Sequence, residues 1–513
     1  MTERLTAREA IALVTDDDAT FSELPPPARN FKPDGPLSWQ GYDDSRARAA
    51  ARTGEEESVV CGRVVIGGTP SVLIAFEFGF LGGSLGERTG DRLEAAHTYA
   101  REHHLPVVSL VATGGSRMQE GMLALTQLQR VARQSALTRE AGLAQIAVLR
   151  DPTTGGGWAT LGAGADVTLA LPGAQVGFAG SRVRPPYADP AAYTAEAQVA
   201  AGAVDAAVRP EELRETLALW LKLLTNPGPN LDPDPNPGPN PDPRSSHSSD
   251  RSAETEAKTA PSPSGEAEAR TASPPAGEAE AKTTPPPPGE AKAKAAPPPP
   301  ALGAPDLPTT GWDAVQHARS PQRPRAAAYL DAYFTQRAAI SGDRCGGTDA
   351  GMLCGFGLAH DGRTIAYAAQ CGTATRPAGY RTAARLIRLA GQLGFPVLTL
   401  VDTPGAANDA EAERQGAGSA IADLFAAVAT ARTPVTTLVI GEGGSGGALA
   451  LAAPGNTWAT PDSYFSVIAP ELAAAILKRP TGEVRSTADQ LRIRPQDLVE
   501  LGVIRGIAEN RKE

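Results

Sequence analysis

Hydrophobic and polar positions follow the same order in two separate parts of the chain. From Gly90 the sequence is GDRLEAAHTYAREHHLPVVSLVATGG, and from Gly379 it is GYRTAARLIRLAGQLGFPVLTLVDTPG. Each part has a helix-like stretch of mixed polarity, a proline (Pro106 or Pro396), an apolar run of strand length and a turn containing glycine. A pattern that recurs in this way indicates an internal repeat. The sequence therefore predicts two copies of one fold.

The similarity between the two parts continues downstream. The first part has IAVLRDPTTGGGWATLGAGADVTLALPGAQVGFAG, and the second has TTLVIGEGGSGGALALAAPGNTWATPDSYFSVIAP. Each contains a strand, a Gly-rich turn, the small-residue start of a helix, a second strand and a short loop. Strands that alternate with helices of about 10–15 residues are typical of α/β folds, and strands with few polar residues indicate sheets covered on both faces. We therefore predict the α/β fold class with two homologous domains.

Between the two parts lies a segment of different composition. Residues 227–308 hold 22 of the 46 prolines, and the motifs GEAEAR, GEAEAK and GEAKAK recur within it every 12 residues. Such a segment has too few apolar residues to offset its chain entropy. The sequence predicts one domain at residues 1–225, a disordered Pro/Ala/Glu-rich linker at 226–308 and a second domain at 309–513. We interpret the linker as a connector, with a docking arm as the alternative.

Charge and composition exclude several classes of function. The formal net charge is −10, which argues against nucleic-acid or anionic-membrane partners because neutralising phosphates requires clustered Lys and Arg. No signal peptide and no stretch of about 18 uncharged apolar residues is recognised. The four cysteines are spaced too irregularly for a disulfide framework, and the six histidines form no ligand pattern. We expect a cytoplasmic protein with reduced thiols and no metal bound by this chain.

Two Gly-rich turns are the candidate chemistry, DPTTGGGW from Asp151 and GEGGSGGA from Gly441. Consecutive glycines between a strand and a helix let the backbone approach a ligand, and the first N–H groups of the helix point outward as donors. Two donors aimed at one oxygen form an oxyanion hole. The sequence has no G-x-S-x-G elbow, Walker loop or H-E-x-x-H motif. The matched pair of turns predicts two oxyanion sites for a reaction with two carbonyl-like reactants.

These segments resemble the carboxyltransferase of multi-subunit acetyl-CoA carboxylase, with its beta and alpha subunits fused in that order. The first part is similar to the beta subunit in AFEFGFLGGSLG, GGSRMQEG, VLRDPTTGG and VGFAG. The second part is similar to the alpha subunit in WDAVQHARSPQRP, GYR, VDTPGA, VIGEGGSGGALA and YFSVIAPE. The resemblance implies a crotonase-like fold of ββα repeats in each part, and it covers nearly everything outside the linker.

The resemblance implies transfer of a carboxyl group from carboxybiotin to acetyl-CoA, giving malonyl-CoA for fatty acid biosynthesis. Biotin would be carried on a separate biotin carboxyl carrier protein and loaded by a biotin carboxylase in an ATP-dependent complex. The N–H groups of Gly155 and Gly156 would hold the thioester enolate, and those of Gly446 and Gly447 the ureido oxygen of biotin. The freed biotin nitrogen would accept the α-proton, so no protein base is required. A homodimer is implied as well.

The resemblance assigns further residues to substrate binding, namely Gly82, Gly83, Gly114, Gly115, Arg117, Gly443 and Gly444. For the loops of the first part, which would line the coenzyme A side, the alternative is ordinary structural turns with a surface arginine. A buried salt bridge between Arg117 and Glu120 is a second alternative.

The chain also departs from the family pattern. The four-cysteine zinc ribbon that usually opens the beta subunit is absent, and the linker takes the place of the helical segment before Trp312. The loop after Gln370 is short, and ANDAEAERQGAG replaces the family's Pro-Gly turn and E-R-G-Q signature after Ala406. These departures lie mostly in the second part, so they bear on recognition of biotin or of the carrier protein.

Three alternative functions stay open. The acyl group accepted could be propionyl or larger, because one methylene changes binding by only about 1–3 kcal/mol. A malonyl-type thioester decarboxylase that works without biotin would need only one of the two oxyanion sites. A non-catalytic scaffold subunit could keep the glycine turns for folding alone.

Overall fold

The computed structural model describes residues 4–16, 21–30, 32–225 and 294–510. Most of the predicted linker, residues 226–293, lies outside the described residues, and so does the prediction of its disorder. The parts of the chain on either side of this gap form one compact unit. We call residues 4–225 the first half and residues 294–510 the second half.

In the first half a mixed set of helices and strands follows the predicted alternation. Its helices are α1 (Ala7–Val14), α2 (Tyr42–Thr53), α3 (Glu87–Glu102), α4 (Gly121–Glu140), α5 (Ala195–Ala200) and α6 (Leu213–Thr225). Its strands are β1 (Ser22–Glu23), β2 (Val59–Ile66), β3 (Thr69–Phe76), β4 (Val107–Thr113), β5 (Gln145–Thr154), β6 (Val167–Ala170), β7 (Val176–Gly177) and β8 (Ala206–Ala207). A π-helical turn at Trp158–Gly162 follows β5.

The second half repeats this arrangement with shorter helices at its C-terminal end. Its helices are α7 (Gly311–Arg319), α8 (Ala326–Tyr333), α9 (Pro377–Leu393), α10 (Ala410–Arg414), α11 (Ala417–Ala429), α12 (Ser445–Leu449), α13 (Pro470–Ile476), α14 (Val484–Gln490) and α15 (Pro495–Glu500). Its strands are β9 (Phe334–Ile340), β10 (Met352–Ala359), β11 (Thr364–Gln370), β12 (Val397–Thr403), β13 (Val435–Gly444), β14 (Thr457–Ala459), β15 (Tyr464–Ser466) and β16 (Gly506–Ile507).

The two sheets have the same strand order. It is β1-β2-β3-β4-β5-β6-β8 in the first half and β9-β10-β11-β12-β13-β14-β16 in the second, with β7 paired to β5 and β15 paired to β13. In both sheets an antiparallel pair, β2–β3 or β10–β11, leads into parallel strands. The prediction of two α/β domains that repeat one fold is therefore confirmed.

Local sequence explains the elements that carry the candidate turns. Strands β4 and β12 are buried at every residue, as their few polar side chains predict. Helix α9 begins with Pro377, whose fixed φ suits the first helical position, and it ends before Gly394 at φ +74°. Its buried residues include Ala383, Leu386, Ile387 and Ala390, which is the spacing of one helix face.

The linker ends earlier than the sequence predicts. Ala296 and Ala301 are buried in the core of the second half. The Ala301 N–H donates to the carbonyl of Glu509 at 2.9 Å, and the Thr436 hydroxyl donates to the carbonyl of Ala296 at 2.7 Å. The second half thus includes residues from 294 onward, which corrects the predicted boundary at 309. The sequence did not indicate this segment because its composition is rich in proline. Its alanine methyl groups are buried by an extended chain that forms neither a helix nor a strand.

The two halves pack directly against each other within one chain. Helix α4 contacts α11 and α12, and the π-helical turn contacts α11. Gly418 of α11 packs tightly against the first half, since an added methyl group there would lie 1.9 Å from Trp158 Nε1. Trp158 is completely buried. None of the described helices is long and apolar enough to cross a membrane.

Candidate active site

The turn after β5 combines a left-handed residue with the start of a helix. Strand β5 ends at Thr154, and Gly155 follows with φ +65°. Gly156 and Gly157 come next and open the helical turn that continues at Trp158. The first N–H groups of a helix have no acceptor within it, so they remain donors toward the mouth of the turn.

The turn after β13 has the same geometry, although glycine is not at every matching position. Strand β4 pairs Thr113 with Thr153, and β12 pairs Thr403 with Gly443. Ser445 is in the left-handed region at φ +59°, where a non-glycine residue costs about 1–2 kcal/mol. Thr153 and Gly443 are therefore equivalent positions in the two sheets. Counting onward from them, Gly155, Gly156 and Gly157 of the first half correspond to Ser445, Gly446 and Gly447 of the second.

This register changes the predicted donor pair of the first half. The Gly155 N–H donates to the carbonyls of Phe178 at 3.1 Å and Gly177 at 3.3 Å, so it is occupied within the protein. The Gly155 N–H is therefore not free to serve as a donor, and the register makes Gly156 and Gly157 the candidate pair of the first half. In the second half, Gly446 and Gly447 lie in the first turn of α12, and their role as donors stays a prediction.

Each turn is covered by a loop from the neighbouring strand. A methyl group added at Gly155 would lie 3.2 Å from the Cα of Gly115, which has φ +103°. In the second half, a methyl group at Gly444 would lie 2.0 Å from the Pro404 carbonyl oxygen, and one at Gly447 would lie 2.4 Å from the Ala406 nitrogen. Glycine is required at these places because two backbones meet there.

The predicted glycines of the first half lie together in this layer. The Gly114 N–H donates to the carbonyl of Gly82 at 2.9 Å. Gly83 has φ +62°, and a methyl group there would lie 2.1 Å from the Ala112 carbonyl oxygen. The structure thus brings residues 82–83, 114–115 and 155–156 side by side. In the first half, residues 77–86 connect β3 to α3, whereas in the second half the shorter segment 371–376 connects β11 to α9. The loop that contains Gly82 and Gly83 therefore has no full counterpart in the second half.

Arg117 lies in the protein interior and not on the surface. Its side chain is 0% exposed and forms an ion pair with Glu57, which is 1% exposed. It also donates to the Ser84 carbonyl at 2.7 Å and lies 3.6 Å from a carboxylate oxygen of Glu120. Burial opposes the charge of Arg117, but the Glu57 carboxylate keeps its pKa above the usual value. The alternative of a surface arginine is therefore wrong, whereas the buried ion pair with Glu120 is observed, with Glu57 as the closer partner. A role of Arg117 in substrate binding stays a prediction.

Gly443 and Gly444 close strand β13 and face protein groups. A methyl group at Gly443 would lie 2.7 Å from a ring carbon of Phe465, and Gly444 is packed against Pro404 as described above. Both residues belong to the ladder with β15. They shape the turn that presents Gly446 and Gly447.

The two turns converge on the side chain of Leu128. A methyl group at Gly156 would lie 2.4 Å from Leu128 Cδ1, and one at Gly446 would lie 3.6 Å from the same atom. The methyl group added at Gly446 would also lie 3.5 Å from Phe178 Cζ. One turn from each half therefore lies next to the Leu128 side chain, and the turn of the second half also adjoins the ring of Phe178. Neither residue was singled out from the sequence, because their role depends on how the halves pack.

A cavity of about 490 Å³ opens beside the contact between the halves. Tyr187 of the first half and Asp349, Arg376 and Asp409 of the second are among its lining residues. Among the residues with described positions, no group of three or more His, Cys, Asp or Glu side chains could hold a metal ion.

Both parts of the chain are similar to known carboxyl transferase proteins. Residues 308–512 match a family model described as acetyl co-enzyme A carboxylase carboxyltransferase-like, and residues 34–206 match the carboxyl transferase domain. The chain is 33% identical over 495 residues to the acetyl-coenzyme A carboxylase carboxyl transferase subunits beta/alpha of Saccharopolyspora erythraea, covering 92% of this chain and 76% of that protein. The protein with the same description from Salinispora arenicola is 34% identical over 517 residues, covering 98% and 81%.

A further relative has a broader description. The "probable biotin-dependent acyl-coenzyme A carboxylase beta3 subunit" of Mycobacterium tuberculosis is 31% identical over 474 residues, covering 90% of this chain and 82% of that protein. The similarity thus extends to both parts of the chain and includes proteins whose names specify different ranges of acyl group.

Proposed function

The chain belongs to the acetyl-CoA carboxylase carboxyltransferase family of biotin-dependent enzymes, and on that premise we propose that it transfers a carboxyl group from carboxybiotin to acetyl-CoA. The product is malonyl-CoA. The observation that carries the proposal is the pair of equivalent turns, one from each half, that adjoin Leu128 together. A reaction with one carbonyl-like reactant would need one such turn, whereas carboxyl transfer from a ureido group to a thioester needs two.

The chain's contribution is two sets of backbone donors. The N–H groups of Gly156 and Gly157 hold the thioester oxygen as it gains charge, and those of Gly446 and Gly447 hold the ureido oxygen of the donor substrate. Fixed donors that meet charge as it develops lower the barrier without an ionisable side chain. The resemblance of the first half to the beta subunit assigns it the acyl-CoA.

The loops beside the first turn form the proposed coenzyme A side. The backbone of residues 82–83 and 114–115 faces the proposed binding site. The buried Arg117 side chain holds the first of these loops through its hydrogen bond to the Ser84 carbonyl. Arg117 is accordingly a positioning residue in this proposal and does not touch the substrate. Gly443 and Gly444 have the corresponding supporting role under the second turn.

The proposed partners are a biotin carboxyl carrier protein, which presents the biotin, and a biotin carboxylase, which loads it with ATP and bicarbonate. The protein is proposed to work as a homodimer in the cytoplasm and to supply malonyl-CoA for fatty acid biosynthesis. A wider acyl range is a second candidate, favoured by the acyl-coenzyme A carboxylase name of the mycobacterial relative.

Reconstitution of the forward reaction tests the acyl preference. The purified chain is combined with a biotin carboxylase, a biotinylated carrier, ATP, bicarbonate and either acetyl-CoA or propionyl-CoA. We expect malonyl-CoA to form with a higher kcat/KM than methylmalonyl-CoA, by roughly 10-fold or more, since one methylene is worth about 1–3 kcal/mol. Omitting the carrier is the control and should abolish product. A higher kcat/KM for propionyl-CoA would contradict the acetyl-CoA assignment.

A further inference from the structure

Helix α10 of the second half buries a carboxyl group in the contact between the halves. Glu413 is completely buried. Its Oε1 accepts hydrogen bonds from the N–H groups of Phe178 at 2.7 Å and Ala179 at 3.2 Å. Its Oε2 has no hydrogen-bond partner among the described residues. A half-satisfied buried carboxyl is costly, so its presence here calls for a role beyond packing.

The segment that Glu413 holds contacts both candidate turns. The carbonyls of Gly177 and Phe178 accept the N–H of Gly155, which precedes the donor pair of the first half. The ring of Phe178 lies 3.5 Å from a methyl position on Gly446, in the donor pair of the second half. A shift of residues 177–179 would therefore move the first turn and change the packing on the second.

We propose that Glu413 is a positioning residue that sets the distance between the two donor turns by holding the backbone of Phe178 and Ala179 from the opposite half. The inference rests on the proposed carboxyl transfer, because that reaction needs both turns in fixed relation. Charge-assisted hydrogen bonds are roughly twice as strong as neutral ones, so the ionised carboxylate holds the segment more firmly than the acid does.

The charged groups that face Glu413 come from both halves. Arg184 favours its ionised form and Asp409 opposes it, and the Tyr193 hydroxyl lies close by and donates to the carbonyl of Asn408 at 2.6 Å. The Arg184 guanidinium is stacked on the Tyr193 ring, 3.9 Å from its centroid. Burial raises the pKa of Glu413 to about 7, although the Ala179 and Phe178 N–H groups act against this rise.

The test compares wild type with Glu413→Gln between pH 6 and pH 8.5. Glutamine keeps the shape and the accepting oxygen but has no charge, so it imitates the protonated acid. We expect the ratio of wild-type to variant kcat, measured with malonyl-CoA and biocytin, to be close to one at pH 6. The ratio should rise to about tenfold above pH 8, the size of a loss of about 1.4 kcal/mol. The KM for malonyl-CoA should change by less than about twofold, because Glu413 touches no substrate.

The matched control is Glu411→Gln, which makes the same change on the exposed face of α10. Glu411 accepts a hydrogen bond only from Gln415 in the described structure. The ratio of wild-type kcat to Glu411→Gln kcat should therefore stay at one over the whole pH range. A Glu413→Gln ratio that does not vary with pH would overturn the proposal, whether the variant is fully active or uniformly weakened by a lower unfolding temperature.

A second measurement needs neither a variant nor turnover. Hydrogen exchange of the peptide segment 176–180 in the wild-type protein, corrected for the intrinsic pH dependence of exchange, reports how firmly the Phe178 and Ala179 N–H groups are held. We expect stronger protection at pH 8 than at pH 6. Equal protection would count against Glu413 even if carboxyl transfer is observed. Stronger protection without any turnover would retain Glu413 as the anchor and reject the proposed reaction.

Discussion

Replacing Gly446 by proline is expected to lower carboxyl transfer roughly a hundredfold to a thousandfold, the usual effect of losing one oxyanion-hole donor. Proline removes the N–H group, and the first turn of a helix tolerates this loss because that N–H has no acceptor within the helix. Gly446 has no left-handed φ. The effect should appear in kcat with malonyl-CoA and biocytin as substrates.

The matched variant is Gly446→Ala, which adds a methyl group but keeps the N–H. This methyl group would lie 3.5 Å from Phe178 and 3.6 Å from Leu128, both ordinary contact distances. The alanine variant should therefore stay close to wild-type activity, and circular dichroism should give all three proteins the same fold. A folded proline variant with wild-type kcat would remove Gly446 from the list of donors.

Replacing Arg117 by methionine is expected to lower the free energy of unfolding by about 3–5 kcal/mol, because it leaves a buried carboxylate without its partner. Glu57 is 1% exposed and pairs with Arg117 in the interior. Burial alone would raise the pKa of Glu57, and Arg117 reverses this, so the ionised form depends on the arginine. Denaturant titration at pH 7.5 measures the loss.

Two further variants test whether the unpaired Glu57 carboxylate causes the loss of stability. Adding Glu57→Gln to Arg117→Met should recover part of the lost stability, since both charges are then absent. Arg388→Met is the surface control, because its ion pair with Asp423 is 49% and 37% exposed and is worth about 0–1 kcal/mol. An Arg117→Met variant with wild-type stability and a raised KM for acyl-CoA would support the direct coenzyme A contact instead.

The fold was largely predictable because its signals are local. Fully buried strands with few polar residues, such as β4 and β12, are each followed by a turn containing glycine and appear in the sequence in the order in which they pair. The start of the second half was not predictable from composition. Ala296 and Ala301 look like linker residues, and only the sheet they pack against makes them part of the core.

The positions of the two candidate turns were predictable, but the predicted donor residues of the first turn differ by one residue from the strand register, and this difference has a physical cause. Sequence comparison of the turns aligns glycine with glycine, whereas the strand register aligns Gly155 with Ser445. The left-handed conformation, and not the residue type, is what the two positions share. The occupied N–H of Gly155 is visible only once β7 is paired to β5.

Long-range contacts account for what the sequence did not indicate. Glu413 lies 235 residues from Phe178, and no local pattern connects them. It lies in the ANDAEAERQGAG segment, where the sequence departs from the family's E-R-G-Q signature, a departure that bears on recognition of biotin or of the carrier protein. Arg117 likewise contacts Glu57 across 60 residues, so its polar loop sequence favoured a surface position.

The most direct measurement is acetyl-CoA formation from malonyl-CoA by the wild-type chain, with and without biocytin. Two donor turns that serve two reactants predict turnover that depends on biocytin and saturates with it. Little or no acetyl-CoA should form without it. Decarboxylation at the same rate in the absence of biocytin would contradict the account, since one turn would then be sufficient for the chemistry.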